Sequence, residues 1–291
     1  TCTLDNSYTL SASDTLTIPA GVTLTNNYGT IDNYGTIDNY GTIDNYGTIS
    51  SFGDISNDGT INNFNSIYNY GKINNNGEIN NVYNYGTNYG KITNNGEIIN
   101  INNGTINNNN GGLIDNNGDI SNGGLIDNNG EIININNGTI NNNNGGLIDN
   151  NGEITNGGLI DNNGEITNGG LIDNNGEIYN GGLIDNNGEI YNNGTTMNYG
   201  TLDNNGLLEN TNTLDNIGTI NNYFNIFNFS TLDNYGTINN TNDGTITNDG
   251  TINNTGIINT YDTILGTITG DSPIEAATGP FTLNQTFCNT M

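Results

Sequence analysis

The sequence predicts an all-β protein, a single-stranded parallel β-solenoid built of hexapeptide units, and three observations carry that prediction. An aliphatic residue returns every six positions, as in Ile31, Ile37, Ile43 and Ile49 and again in Ile154, Ile160, Ile166 and Ile172. Six is a multiple of the strand's two-residue period and fits no helix period. Most units close on Tyr-Gly or Asn-Gly, residues that tolerate the positive φ expected of a tight corner. A unit this short cannot bury its one Ile alone, whereas stacked coils set every Ile between the Ile above and the Ile below.

Along the chain, residues 1–25 read as N-terminal cap strands: Leu10, Leu16, Ile18, Val22 and Leu24 stand among Ser and Thr, with Pro19-Ala20-Gly21 as a turn. Residues 26–269 form the repeat domain. Its first part carries aromatic corners at Tyr28, Tyr34, Tyr40, Tyr46, Phe52, Phe64 and Tyr70. Between Glu97 and Gly164 a 34-residue block occurs twice with two substitutions, and a twelve-residue unit of the form GGLIDNNGEITN then runs to Asn192. Spacings of eight, as from Ile98 to Ile106, are six plus a two-residue corner insertion. Residues 270–291 lose the period and form a tail that could link subunits. In each unit the Ile, the Asn two places on and the Gly share the inward face, and Gly is expected to leave room for the Ile that follows. Inward Asn side chains would hydrogen-bond from coil to coil.

The carboxylates argue for the coil size. With two hexads per coil, Glu153, Glu165, Glu177 and Glu189 would stack at ~4.8 Å, each contact costing about 1 kcal/mol in water and more at a protein surface. With three hexads the columns read Glu153, Leu171, Glu189 and Asp149, Thr167, Asp185, so these charges are diluted. A three-sided coil of about 18 residues is preferred, giving about 13 coils and a rod of roughly 60 Å. The competing reading makes the twelve-residue unit itself the coil, with the carboxylate ladders bridged by cations.

The stretch TLTIPAGVTLTNNYGTI (15–31) resembles the opening of parallel β-helix surface proteins. The N-x-G-x-I units that follow are similar to the repeats of filamentous-haemagglutinin-type and related archaeal and bacterial surface solenoids, over about residues 15–268. The resemblance implies an extracellular, fibrous or adhesive protein and identifies no single one. The opening is similar to right-handed β-helices, while a small residue two places before the aliphatic one is the left-handed hexapeptide pattern. Handedness stays open, with a lean to the right-handed form.

Composition narrows the function. The 291 residues hold 72 Asn and 43 Gly, no His, no Trp and two basic residues, Lys72 and Lys91, for a net charge of −28. Low hydrophobicity with such charge is the signature of disorder, but a disordered chain has no reason to hold a six-residue phase. A surface this acidic repels phosphate backbones and anionic lipids, so neither nucleic acid nor membrane is expected as a partner. No apolar stretch approaches the ~20 residues that span a bilayer. The first residue is Thr1, which points to a removed leader and secretion. Without His, imidazole-based triads and metal sites are ruled out. The Asp and Glu residues recur in phase instead of converging as a glycosidase pair would, so no enzyme and no cofactor is expected. Calcium is the one candidate ion, held weakly between Asp161 and Glu165 or between Asp185 and Glu189.

The exposed Tyr residues could stack on sugars or on each other. Tyr223, Phe227 and Phe229 suggest a contact patch. Glycosylation sequons stand at Asn103, Asn137, Asn193, Asn228, Asn239, Asn253 and Asn284, in a chain where chance alone produces many. Thr-Ile-Thr triplets resemble those of ice-binding solenoids but are scattered. Cys2 and Cys288 stand near opposite ends, and a bond between subunits is favoured over one within the chain. Together these features suggest a secreted filament subunit that polymerises head-to-tail. The alternative is a solenoid adhesin or stalk that binds sugars or cells without polymerising, with ice binding a more distant reading.

Overall fold

Four residues of each hexad make a strand and two make the corner, as in Thr30–Asn33 followed by Tyr34 and Gly35. The second and fourth strand residues are buried and the first and third half-exposed, the period-2 pattern expected from the sequence. A computed structural model describes residues 1–275 apart from 82–84, 89, 101–103, 110, 136–137, 144, 242 and 262–263. Within them, strands build three parallel sheets of 15, 15 and 14 strands. Sheet A starts at Cys2–Leu4, sheet B at Tyr8–Leu10 and sheet C at Thr15–Ile18.

Each strand pairs with the third one before and after it, so Ile31 lies beside Ile49 and Ile148 beside Ile166. Three hexads therefore make one coil of 18 residues, as the charge argument predicts. Fourteen steps at ~4.8 Å give a rod of about 67 Å. The N-terminal strands Cys2–Leu4, Tyr8–Leu10 and Thr15–Ile18 pair in register with Thr23–Asn26, Thr30–Asn33 and Thr36–Asn39, so they form the first coil of the solenoid itself. At the other end Ile264–Leu265, Ile268–Gly270 and Ile274–Glu275 continue the three sheets.

The axis is filled by the aliphatic columns. Ile31, Ile37, Ile43, Ile49, Ile154, Ile160, Ile166 and Ile172 are each 1 % exposed. Beside them run columns of buried Asn. In sheet A each Asn Nδ2 donates to the Asn Oδ1 of the next coil without a break from Asn26 to Asn254, at 2.7–3.0 Å. Sheet C does the same from Asn39 to Asn248. The second amide hydrogen goes to a carbonyl of the next coil, as from Asn150 Nδ2 to Leu171 O, which fixes the amide's orientation. In sheet B, Ser51 interrupts the column. It accepts from Asn33 but donates to the Gly53 carbonyl, leaving Asn69 Oδ1 buried and unpartnered. Leu4, Leu10 and Ile18 occupy the Asn positions of the first coil, so the amide columns start one coil in.

Two expectations about glycine are corrected. Among the described residues only Gly21, Gly111, Gly145, Gly266 and Gly270 have positive φ, and Gly111 and Gly145 sit in the corner insertions. The repeat glycines are needed for close approach instead, and what they accommodate is backbone, not the following Ile. A Cβ on Gly158 would collide with the carbonyl of Gly138, and one on Gly170 with that of Gly152. That carbonyl accepts the N–H just after the glycine, as from Leu171 N to Gly152 O at 3.0 Å. Where Asn65 or Phe224 replaces glycine, the corresponding bonds from Ser66 to Gly47 and from Asn225 to Gly206 are each 3.3 Å.

Charge dilution also holds only in part. Through the twelve-residue units it is complete, with Glu153 against Leu171 and Leu171 against Glu189. Elsewhere carboxylates face each other on neighbouring strands: Glu78 and Glu97, Glu97 and Asp119, Asp127 and Asp149, Glu131 and Glu153, Asp185 and Asp203, and Asp215 and Asp233. At a solvated surface such a pair costs about 1 kcal/mol or less, which the Ile and Asn columns beneath easily override.

Candidate functional site

The outer surface of a solenoid is set by the first and third residues of each strand and by the corners, so any site must be assembled there or at the rod's ends. In the N-terminal part, corner aromatics one coil apart come into stacking distance. Tyr34, Phe52 and Tyr70 form one column with centroid separations of 5.0 and 4.7 Å, and Tyr46 stacks on Phe64 at 4.5 Å, all within 7° of parallel. Both faces of Phe52 are covered by its neighbours. These rings therefore stack on one another, and Phe52 offers a sugar only its edge.

The proposed patch divides around one strand, Asn225–Asn228 of sheet C. Phe227 points outward from it and lies 6.3 Å from Phe229 at the following corner. Tyr223 precedes the strand at the opposite corner, beside Phe224 of the same aromatic run, which is 50 % exposed. Tyr199, Ile217 and Tyr235 add a third exposed corner column.

Outward polar residues form their own ladders. Asn62 Nδ2 donates back to Asp44, and Asn80 to Asn62. Asn221 donates to Asp203, Asn239 to Asn221 and Asn259 to Asn239. A carboxylate only accepts, so each outer ladder must start on its Asp and run opposite to the buried columns. Tyr179 and Tyr191 donate their phenolic O–H to Glu177 and Glu189 two residues back, and the carboxylate that each phenol bonds raises its pKa. Asp215, half-buried and facing Asp233, has its carboxyl pKa raised, first by desolvation and then by that neighbouring charge.

The suggested calcium pairs are split between faces. Asp161 lies on sheet A and Glu165 on sheet B, and Asp185 lies on sheet B and Glu189 on sheet C. Among the described residues no group of three or more His, Cys, Asp or Glu side chains converges. The threonines stack in single columns, such as Thr195, Thr213, Thr231 and Thr251, beside Met197, Asp215, Asp233 and Asn253, so this face is not the flat Thr array that ice binding would use.

The sequons separate by burial. Asn193 and Asn253 are exposed, while Asn239 is half-buried in an outer ladder. Asn228 is corrected: it belongs to the sheet C column, 0 % exposed, with Nδ2 donating to Asn248 Oδ1, so a folded chain cannot carry a glycan there. Asn103, Asn137, Asn284 and Cys288 lie outside the described residues. Cys2 is exposed with a free thiol. Lys91 pairs with Asp115 at 3.0 Å. No described helix is long and apolar enough to cross a membrane. Comparison with protein-family models, curated proteins and solved structures finds no match.

Proposed function

We propose that this chain is a structural subunit of a secreted extracellular filament, a homopolymer in which copies join head-to-tail through their solenoid ends. The observation that carries the reading is the first coil. Among the described residues, Cys2–Leu4, Tyr8–Leu10 and Thr15–Ile18 each end a sheet and pair on one side only, presenting three parallel strand edges at one face of the rod. Such edges are templates for further pairing. Tyr8, standing in the aliphatic column, is 47 % exposed there, and Cys2 stands exposed in the column beside it. A second copy docking its last coil would cover these groups, and Cys2 of one copy could then bond to Cys288 of the next.

The adhesin or stalk reading draws on a different observation, the exposed aromatics Phe224 and Phe229 with the half-exposed Phe227 between them. In that reading the partner is a glycan or a cell surface. Negative-stain microscopy of the purified chain separates the two. Filaments many times longer than one rod, dispersed by Tyr8→Asp, are the expected result. Single rods of about 67 Å at all concentrations would sink the filament reading. Denaturing electrophoresis without reductant then shows whether the Cys2 to Cys288 link joins subunits, as a ladder of multimers, or closes within one.

A further inference from the structure

The inter-coil steps are not equal, and one differs from the rest on all three faces at once. At an ordinary step each sheet sets Ile against Ile, as with Ile148 and Ile166, Ile154 and Ile172, and Ile160 and Ile178. Consider the step from strands Ser66–Asn69, Lys72–Asn75 and Glu78–Asn81 to strands Tyr85–Asn88, Lys91–Asn94 and Glu97–Asn100. In sheet B, Ile67 faces Gly86, so the aliphatic column has a gap. In sheet C, Lys72 faces Lys91, the only two basic residues in the chain placed against each other. In sheet A, Glu78 faces Glu97. Like charges directly opposite on neighbouring strands are unfavourable, and an aliphatic contact replaced by glycine is lost outright.

Burial records the result. Ile67 and Ile106, on either side of Gly86, are each 8 % exposed, against 1 % at Ile61 and Ile154. Ile79 and Ile92 are only partly buried, and the aliphatic core separates here into two clusters, Leu10 to Ile73 and Ile98 to Ile258, with those two residues as their shared neighbours. The Asn69 side-chain Oδ1 left unpartnered by Ser51 belongs to the same region. What crosses the step is two aliphatic contacts, Ile73 with Ile92 and Ile79 with Ile98, and the amide bonds Asn69 to Asn88, Asn75 to Asn94 and Asn81 to Asn100, with their backbone ladder.

We propose that this step is a built-in breakpoint, at which the rod opens locally before it unfolds anywhere else and divides into two separately stable blocks. Stability in a stacked array is a sum of units and interfaces, so the weakest interface opens first. The breakpoint is also the one place where a lysine-specific protease can act, because Lys72 and Lys91 flank it. It holds whether or not the chain polymerises.

Hydrogen exchange followed by mass spectrometry on the full chain tests this, with trypsin added in urea below the main transition. Amides of 85–88 and 91–94 are expected to exchange about tenfold or more faster than those of 42–63 and 153–192. Trypsin is expected to cut only at Lys72 or Lys91 and to leave both blocks folded. Gly86→Ile, which completes the column, and Glu78→Gln, which removes one like-charge contact and leaves the backbone alone, should each slow exchange across the step, the first more. Exchange at 85–88 and 91–94 within threefold of the two reference blocks, or no slowing in Glu78→Gln together with none in Gly86→Ile, would overturn the proposal.

Discussion

Residues 30–75 and residues 147–194 fold into the same coil with opposite corners. In the first block the corners carry Tyr and Phe, and rings one coil apart stack at 4.5–5.0 Å. In the second, the corners are Asn or Gly throughout, as at Asn151, Gly157, Asn163 and Gly169. The inward residues hardly change: Ile43 and Ile166 are each 1 % exposed, and Asn45 and Asn168 stand in equivalent buried columns. Aliphatic and amide columns are therefore sufficient for the coil, and the corner's outer residue is free to vary because it hangs beyond the backbone. The second corner position is constrained in both blocks, since a Cβ at Gly53 or Gly170 meets the carbonyl one coil below, and at Asn65, the exception in the first block, the bond from Ser66 to Gly47 is 3.3 Å.

The largest effect is expected inside. Ile43→Asp and Ile166→Asp each bury an unpartnered charge and should each cost about 3–5 kcal/mol, with equal losses in the two blocks by denaturant titration. Asp161→Asn, outward on the same rod, should be neutral or slightly stabilising. If Ile166→Asp and Asp161→Asn melt together, the inward phase is wrong. Next come the corners of the middle block. Gly158→Ala drives a Cβ into the Gly138 carbonyl and should cost about 1–3 kcal/mol, whereas Gly157→Ala meets nothing closer than 3.6 Å and should be neutral or stabilising by a few tenths. Similar losses from both would show that glycine serves flexibility and not close approach.

Smaller still is the contribution that only the N-terminal block has. Phe52→Ala removes the ring sandwiched between Tyr34 and Tyr70 and should cost about 1 kcal/mol, while Asn163→Ala at a corner of the other block should change stability by no more than a few tenths. The smallest effect is electrostatic. The Asp215 carboxyl has its pKa raised on folding, so the folded chain holds that proton more firmly and stability must rise as pH falls through the raised value. Denaturation midpoints should increase as the pH is lowered from neutrality toward the ordinary Asp range, and Asp215→Asn should flatten part of that slope. A slope unchanged in the variant would mean that neither burial nor the Asp233 charge raises the Asp215 pKa on folding.

Much of the fold is legible in the chain because the side-chain period of a strand is strict: Ile31, Asn33 and Gly35 must share a face whatever the coil does. The coil size was legible as well, through a surface argument about Glu153 and Glu189, although six like-charge contacts elsewhere show that such repulsion biases the choice and does not enforce it. The site was less readable. Asn228 reads as a sequon yet belongs to the buried column, because Asn serves both roles in the same Asn-x-Ser/Thr context. Phe224 stands in the same aromatic run as Tyr223, Phe227 and Phe229, but strand alternation does not count it among the outward rings, and the structure leaves it 50 % exposed.

The alternation of inward and outward residues is local, since it follows from sterics between neighbours two apart. Which face each unit occupies is set by the closure of the coils. The two copies of the 34-residue block place the same Glu-Ile-Ile-Asn on sheet A at Glu97–Asn100 and on sheet C at Glu131–Asn134, and Leu-Ile-Asp-Asn appears on sheets A, C and B at Leu159, Leu171 and Leu183. The block spans five strands and the coil three, so identical segments meet different neighbours. Whether Lys72 faces Lys91, or Glu153 faces leucine, depends on coil closure about 18 residues away, a contact that no local rule of the chain contains.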